Sequence, residues 1–110
     1  MQTLLTRRPN TTRYGTRFDD AIVQAVWNKA FMMQGAFPRF RRVDRCGAVI
    51  DRLSYGITTE DGTGWEIDHM IPVVKGGTDD LSNLQPLQWQ NNRAKGDSYP
   101  PNNYCVVKAK

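Results

Sequence analysis

The 110-residue chain contains 39% hydrophobic and 10% aromatic residues, a balance typical of a folded domain and not of a disordered segment. No apolar run approaches the roughly 18 residues of a membrane span, and residues 1–10 lack the apolar core of a secretory signal. The length and composition therefore predict one cytoplasmic domain without a membrane partner.

Arginine is concentrated in two segments of the chain, although the net charge is only +4. Residues 1–17 contain four arginines and no acidic residue, and a second cluster follows residue 38. A basic cluster of this kind either forms a solvated surface or binds phosphate. Because the guanidinium fork fits phosphate oxygens, we favour phosphate binding. The candidate contacts in the second cluster are Arg39, Arg41, Arg42 and Arg45.

The first predicted element is an amphipathic helix over residues 18–34. Apolar residues recur there at intervals of three and four, acidic residues occupy the first turn, and Gly35 follows. The large side chains beside the apolar stripe, Trp27, Phe31 and Met32, are assigned to the core and not to a cofactor pocket. The helix either packs across the core or forms the seam of a homodimer.

Two strands, a loop and a second helix are predicted next. An arginine-rich extended piece leads into AVIDRL, and WEIDHMIPVV alternates before a bend at Pro72. Gly76 and Gly77 open a loop, and a short helix is predicted from about Pro86 to Lys95. The tail forms a short strand or packs on the surface.

The two cysteines, Cys46 and Cys105, are far apart and have no CxxC spacing. This arrangement indicates neither a thiolate zinc site nor a redox pair. We therefore favour free, partly buried thiols over a disulfide between them.

The one histidine of the chain, His69, follows Asp68 in the stretch EIDHMIPVVKGGTDDLSNLQPLQWQNNRAKGD. An isolated Asp-His pair is a weak indication of catalysis, since a single histidine is more often structural. The residues that follow at fixed spacings add information: a proline bend, the glycine pair, Asn83 and Asn92.

This stretch, Glu66 to Asp97, resembles the core of the HNH endonucleases, the ββα-metal or His-Me finger group of metal-dependent DNA-cleaving enzymes. The resemblance implies a small ββα-metal core and does not cover the region before about Arg39. Together with the long N-terminal helix predicted from the apolar periodicity, this core gives an α+β fold, and we expect a single HNH endonuclease domain over residues 1–110. Its parts are a basic segment with the helix (1–38), the core (39–97) and a tail (98–110).

The resemblance also implies roles for individual residues. His69 matches the histidine that deprotonates the attacking water, and Asp68 matches the adjacent metal ligand. Asn83 matches the asparagine that bonds across the loop and orients the histidine, and Asn92 stands at the last motif position as a metal ligand. Oxygen ligands suit Mg²⁺ or Mn²⁺ better than zinc, and a histidine is suited to act as a base near neutral pH.

Charged neighbours of these residues have alternative interpretations. Arg93 and Lys95 either hold phosphate oxygens or pair with the helix dipole, and we include both among the predicted phosphate contacts. Asp79 and Asp80 follow Gly-Gly-Thr, which fits a turn or cap better than a set of metal ligands.

The chain departs from the family pattern at the zinc knuckle, which in many members consists of two CxxC pairs. The second pair would fall at Gln88 and Asn91, and Cys46 lies near the first pair without a partner. We therefore expect no structural zinc. The core is expected to depend on apolar side chains, namely Trp65, Ile67, Ile71, Leu84, Leu87 and Trp89.

The leading interpretation is a metal-dependent endonuclease that hydrolyses DNA phosphodiester bonds, by nicking or by cutting both strands. The alternative is a catalytically inactive nucleic-acid-binding module with an HNH-like fold. The joint presence of Asp68, His69, Asn83 and Asn92 counts against that alternative. A purely structural or partner-binding protein leaves their spacing unexplained.

Overall fold

A computed structural model describes residues 7–60 and 62–109 of the chain. It contains two antiparallel strand pairs and two short helices, consistent with the expected α+β class. In chain order the elements are α1 (Asp20–Trp27), β1 (Arg41–Val43), β2 (Val49–Asp51), β3 (Trp65–His69), β4 (Leu84–Gln88) and α2 (Trp89–Lys95). Strand β1 pairs with β2, and β3 pairs with β4.

Helix α1 is much shorter than the helix predicted over residues 18–34. The side chain of Asp19 caps its first turn by accepting a hydrogen bond from the backbone N–H of Ile22, and the helix ends before Asn28. Beyond it, Phe31 exchanges two backbone hydrogen bonds with Val43, of 2.9 and 3.0 Å, which require extended backbone. The prediction of a long N-terminal helix is therefore wrong.

The buried face of α1 forms one side of the core. Val23, Val26 and Trp27 are buried there, and the ring of Trp27 lies 5.3 Å from that of Trp65 in β3. Complete burial of an aliphatic side chain such as Val26 contributes about 1.5–3 kcal/mol. The assignment of Trp27 to the core is confirmed. The same assignment is wrong for Phe31 and Met32, which are 59% and 65% exposed.

Most of the apolar residues expected beneath the ββα core are buried as predicted: Trp65, Ile67, Leu84 and Leu87. Two of the six are not. Ile71 lies after the end of β3 and is exposed, and Trp89 is only partly buried at the start of α2. Among the residues that the structure describes, no helix is long and apolar enough to cross a membrane.

The short helix predicted from about Pro86 begins later than expected. Pro86 lies within β4, opposite Ile67. Both strands of a two-stranded sheet are edge strands, and an edge strand tolerates a proline, which has no backbone N–H to donate. Helix α2 starts at Trp89, where Oε1 of Gln88 accepts hydrogen bonds from the backbone N–H groups of Gln90 and Asn91. It ends before Gly96, as predicted.

The prediction of free thiols is also wrong, because Cys46 and Cys105 form a disulfide. They are 59 positions apart in sequence, but the fold brings their Cα atoms within 5.5 Å. The disulfide attaches the tail to the turn between β1 and β2. No strand forms in the described part of the tail, residues 98–109.

Candidate functional site

An open cavity of about 730 Å³ lies where the end of β3 meets α2 and the N-terminal segment. It is lined by three of the four residues that the sequence singled out for catalysis or metal binding: Asp68, His69 and Asn92. Strict strand alternation would place Asp68 and His69 on opposite faces. Because β3 ends at His69, both residues border the same cavity.

The side chain of His69 is held between an acid and an aromatic ring. Its Nε2 lies 2.8 Å from Oδ1 of Asp79, and the ring of Phe18 packs 5.9 Å from the imidazole, centroid to centroid. His69 is 6% exposed, so its orientation is fixed by these neighbours and not by solvent. Asp79 is therefore in direct contact with a candidate site residue, whereas its position in the sequence favoured a turn or cap over a metal ligand.

Asp68 is buried in a small polar cluster. Lys95 of α2 donates to its Oδ1 at 3.1 Å and to the carbonyl of His69 at 3.1 Å, and Gln85 donates to its Oδ2 at 2.9 Å. Burial raises the pKa of Asp68 above its usual value, against the opposing effects of Gln85 and Lys95. Lys95 was predicted to contact phosphate. In the structure it is 2% exposed, and its ammonium group binds Asp68 instead of facing solvent.

A second buried acid, Glu66, orients the side chains that α2 presents to the cavity. Its Oε1 accepts hydrogen bonds from Nδ2 of Asn92 at 2.9 Å and from Nε of Arg93 at 3.1 Å, and its Oε2 accepts from Arg93 at 2.8 Å. Glu66 is 1% exposed, whereas the side chain of Arg93 is half-exposed. The amide of Asn92 is therefore fixed by its nitrogen, which leaves its Oδ1 for another partner.

Asn83 does not line the cavity but ties the loop that follows His69. Its Oδ1 accepts from the backbone N–H of Ile71 at 2.8 Å, and its Nδ2 donates to the carbonyls of Ile71 and Thr78. The same loop requires glycine at position 77, since a Cβ there would lie 1.6 Å from the carbonyl oxygen of Ile71. These bonds across the loop hold the segment between His69 and Asp79.

The predicted arginine contacts of the second cluster lie away from this cavity. Arg41 forms two hydrogen bonds with Asp51, and Arg42 donates to the carbonyls of Pro38, Asn28 and Ala30. Arg39 lies over the ring of Phe40. Arg45 lines a separate, smaller cavity beside Lys29 and Phe31.

The N-terminal segment supplies the basic side chains that do border the cavity. Arg7 and Arg8 line it, together with Asn10, whose Oδ1 accepts a 2.7 Å hydrogen bond from the backbone N–H of Ile67 in β3. The guanidinium of Arg7 donates to the carbonyls of Thr11 and Thr12, whereas Arg8 is exposed. The arginine content of residues 1–17 was the only indication of this arrangement in the sequence.

A buried hydrogen-bond network includes Gln88 and Asn91, the two positions at which the second cysteine pair of a zinc knuckle would fall. The carboxylate of Asp44 accepts four hydrogen bonds, from the backbone N–H groups of Cys46, Ala48 and Gln88 and from the side chain of Asn91. Asn91 also exchanges two 2.8 Å hydrogen bonds with the backbone of Val107. Together with the disulfide, this network joins the β1–β2 hairpin, α2 and the tail.

Two antiparallel strands followed by a helix, with Asp-His at the end of the first strand and Asn92 on the helix, define a ββα nuclease-type core. Residues 45–98, about half of the chain, match the family model of the HNH endonuclease. The chain belongs to the HNH endonuclease family through this segment, which contains β2, β3, β4 and α2 and implies a nuclease-type function. Neither a curated protein nor a solved structure matches the chain.

Proposed function

We propose that the protein is a metal-dependent endonuclease that hydrolyses phosphodiester bonds of DNA, with His69 as the general base. The observation that carries this proposal is the placement of His69, Asp68 and Asn92 around one cavity at the junction of β3 and α2. These are the residue types that the reaction needs: a base for the attacking water and oxygen ligands for a cation.

The hydrogen bond between His69 and Asp79 determines which ring nitrogen can act as the base. A neutral imidazole has one N–H and one nitrogen lone pair. Because a carboxylate only accepts, the Nε2 of neutral His69 carries the proton that is donated to Asp79, and Nδ1 retains the lone pair. Nδ1 is therefore the atom that takes the proton from the attacking water.

The residues at the cavity fit a hard divalent cation, Mg²⁺ or Mn²⁺. Each carboxylate oxygen of Asp68 accepts one protein hydrogen bond and retains a further lone pair. The side-chain nitrogen of Asn92 donates to Glu66, and this leaves the Oδ1 of Asn92 available to a cation. Within residues 7–60 and 62–109, no group of three or more His, Cys, Asp or Glu side chains could hold a metal. Two protein oxygens completed by water and substrate phosphate are a common arrangement for Mg²⁺. Such an ion supplies charge stabilisation at the phosphoryl oxygens and the leaving alkoxide.

The charge around the cavity favours a polyanionic substrate. Arg8, which is exposed, and Arg93 of α2, which is half-exposed, both line the cavity. Guanidinium groups at these positions contact phosphates without reading bases, so cleavage should depend weakly on sequence.

The direct test is cleavage of supercoiled plasmid DNA with Mg²⁺, Mn²⁺ or a chelator. Metal-dependent conversion to open-circle or linear DNA is expected, and His69→Ala should lower its rate by about 10² to 10⁴-fold. Binding of the plasmid should be nearly unchanged in that variant, because His69 is not proposed as a phosphate contact. If binding is lost together with cleavage, the role of His69 as a base is wrong.

A second candidate function is nucleic-acid binding without cleavage. The observation that favours it is the engagement of both Asp68 oxygens, by Lys95 and by Gln85, which competes with a cation for the same atoms. Binding of plasmid without cleavage under every metal condition would select this function.

A further inference from the structure

We propose that the N-terminal hairpin, residues 11–17, is a functional part of the site, because its turn fixes Asp79 and thereby the orientation of the His69 ring. This proposal rests on the proposed function of His69 as a base. The hairpin lies outside the segment that matches the HNH endonuclease family, residues 45–98, whereas Asp79 and His69 lie within it.

The hairpin is a small, exposed structure. Thr11 and Arg17 form an antiparallel bridge, and the backbone N–H of Thr12 donates to Thr16 at 2.7 Å. A tight turn between Thr12 and Gly15 closes it through a 2.8 Å hydrogen bond, with Gly15 at φ +82°. Residues 13–17 are exposed, so apolar burial does not account for the position of the turn.

Contacts at both ends instead anchor the hairpin to β3. Before it, Asn10 adopts φ +61°, a left-handed conformation that asparagine tolerates better than most residues, and accepts from the N–H of Ile67 in the middle of β3. After it, Phe18 is buried and packs against the ring of His69. The turn is therefore held at a fixed position beside the imidazole.

The turn reaches His69 through Asp79. The backbone N–H of Arg13 donates to both carboxylate oxygens of Asp79, at 2.9 and 3.2 Å, and Oδ1 also contacts Nε2 of His69 at 2.8 Å. Within the described residues, these are the hydrogen bonds that the Asp79 side chain accepts. The carboxylate thus lies between the hairpin and the imidazole, and loss of the Arg13 N–H would free it to rotate.

The test is the proton position on His69, measured by ¹⁵N NMR of histidine-labelled protein at a pH where the ring is neutral. The signal is unambiguous because the chain has one histidine. The wild type should show the Nε2-protonated form. Asp79→Ala should show a mixture of both forms, with a kcat lower by about 10 to 100-fold, the usual scale for partners that fix a histidine, and little change in KM. Asp79→Asn, which retains an acceptor oxygen, should recover part of the kcat.

The neighbouring acid provides the matched control. The side chain of Asp80 bonds to Thr78 and not to His69, so Asp80→Ala should leave the proton position and kcat unchanged. If Asp79→Ala behaves like Asp80→Ala, the positioning role of Asp79 is overturned.

Arg13→Pro and Arg13→Ala isolate the contribution of the hairpin. Both variants lack the arginine side chain, but only Arg13→Pro also lacks the N–H, and proline is favoured at the second position of a tight turn. Arg13→Pro should therefore show mixed proton positions and a lower kcat than Arg13→Ala. Equal results for the two variants would remove the hairpin from the site.

Failure of this proposal can be told from failure of the proposed function. If the wild type does not cleave DNA but the proton position still depends on Asp79 and on the Arg13 N–H, the nuclease function fails and the positioning contact stands. If the wild type cleaves and the proton position ignores both groups, the positioning proposal fails alone.

Discussion

The ammonium group of Lys95 lies 3.1 Å from Oδ1 of Asp68, and the two side chains are only 1% and 6% exposed. Burial of an unpaired charge is unfavourable, so each of these groups compensates for the desolvation of the other. The pair also places a predicted metal ligand in contact with the only residue of α2 that is both basic and buried in the described structure.

Removal of one partner should therefore be strongly destabilising. Lys95→Met is expected to lower the free energy of unfolding by about 3–5 kcal/mol at neutral pH, because Asp68 would remain charged and buried with only Gln85 as a partner. Urea unfolding measures the loss, and Lys75→Met, at an exposed lysine, is the control. A loss no larger than that of the control would show that solvent reaches Asp68 in spite of its burial.

The destabilisation of Lys95→Met should depend on pH. Burial is the main cause that raises the pKa of Asp68, so protonation of this carboxyl group stabilises the folded state. The stabilisation is fully present below the pKa of about 3.9 that an aspartate has in the unfolded chain, and it is lost as the pH rises through the pKa of Asp68 in the folded state. Without Lys95 the folded pKa rises further, and the difference in stability from the wild type should grow from pH 4 to pH 7. The double variant Asp68→Asn with Lys95→Met should remove this growth, whereas a difference independent of pH would exclude Asp68 as its origin.

Asn92 should influence metal dependence and not DNA binding. Asn92→Ala is expected to raise the Mg²⁺ or Mn²⁺ concentration for half-maximal cleavage by about tenfold or more, the scale of losses seen when metal-site residues are altered. The control is Asn103→Ala, at an exposed asparagine of the tail. Identical metal titrations for the two variants would remove Asn92 from the set of ligands.

Local patterns in the sequence predicted the central part of the site. The alternation in WEIDH indicated β3, and the Asp-His pair at its end borders the cavity with Asn92. The helix over residues 18–34 was overextended because its periodicity carries no information about Phe31 pairing with Val43, a contact made twelve positions along the chain.

Contacts between distant segments account for what the sequence did not reveal. Asp79 looked like a turn residue, and its contact with His69 depends on the loop that Asn83 holds. The disulfide could not be deduced from spacing, because the Cys46–Cys105 distance is set by the path of the tail over α2. The fold likewise places Arg8 at the cavity. Arg8 belongs to the first arginine cluster, residues 1–17, whereas most of the predicted phosphate contacts lie in the second.

Arg8 and Arg41 should differ in their contribution to DNA binding. Arg8 is exposed at the cavity, whereas the charge of Arg41 is already paired with Asp51 at 2.7 Å. Arg8→Ala should weaken binding and lower the salt slope, the dependence of log K on log salt, by about one unit. Arg41→Ala changes the net charge equally and should leave the slope nearly unchanged. The opposite result would place the DNA across β1, where the sequence first indicated phosphate contacts.

The disulfide should contribute more to stability than to the chemistry of the site. It joins residues 59 positions apart, for which the chain-entropy relation gives about 4 kcal/mol. The double variant Cys46→Ser with Cys105→Ser should lose most of that free energy of unfolding. Cleavage under conditions where the variant remains folded should be retained, because neither cysteine borders the cavity. The wild type in strong reductant should approach the stability of the variant, and the variant should not respond to reductant. The same double variant should leave the metal dependence of cleavage unchanged. Because the Asp44 network still joins Gln88 and Asn91 to the β1–β2 turn, α2 should stay in place, and the metal titration of the variant should match that of the wild type. A shifted metal titration would show that the tail, and not this network alone, holds Asn92 at the cavity.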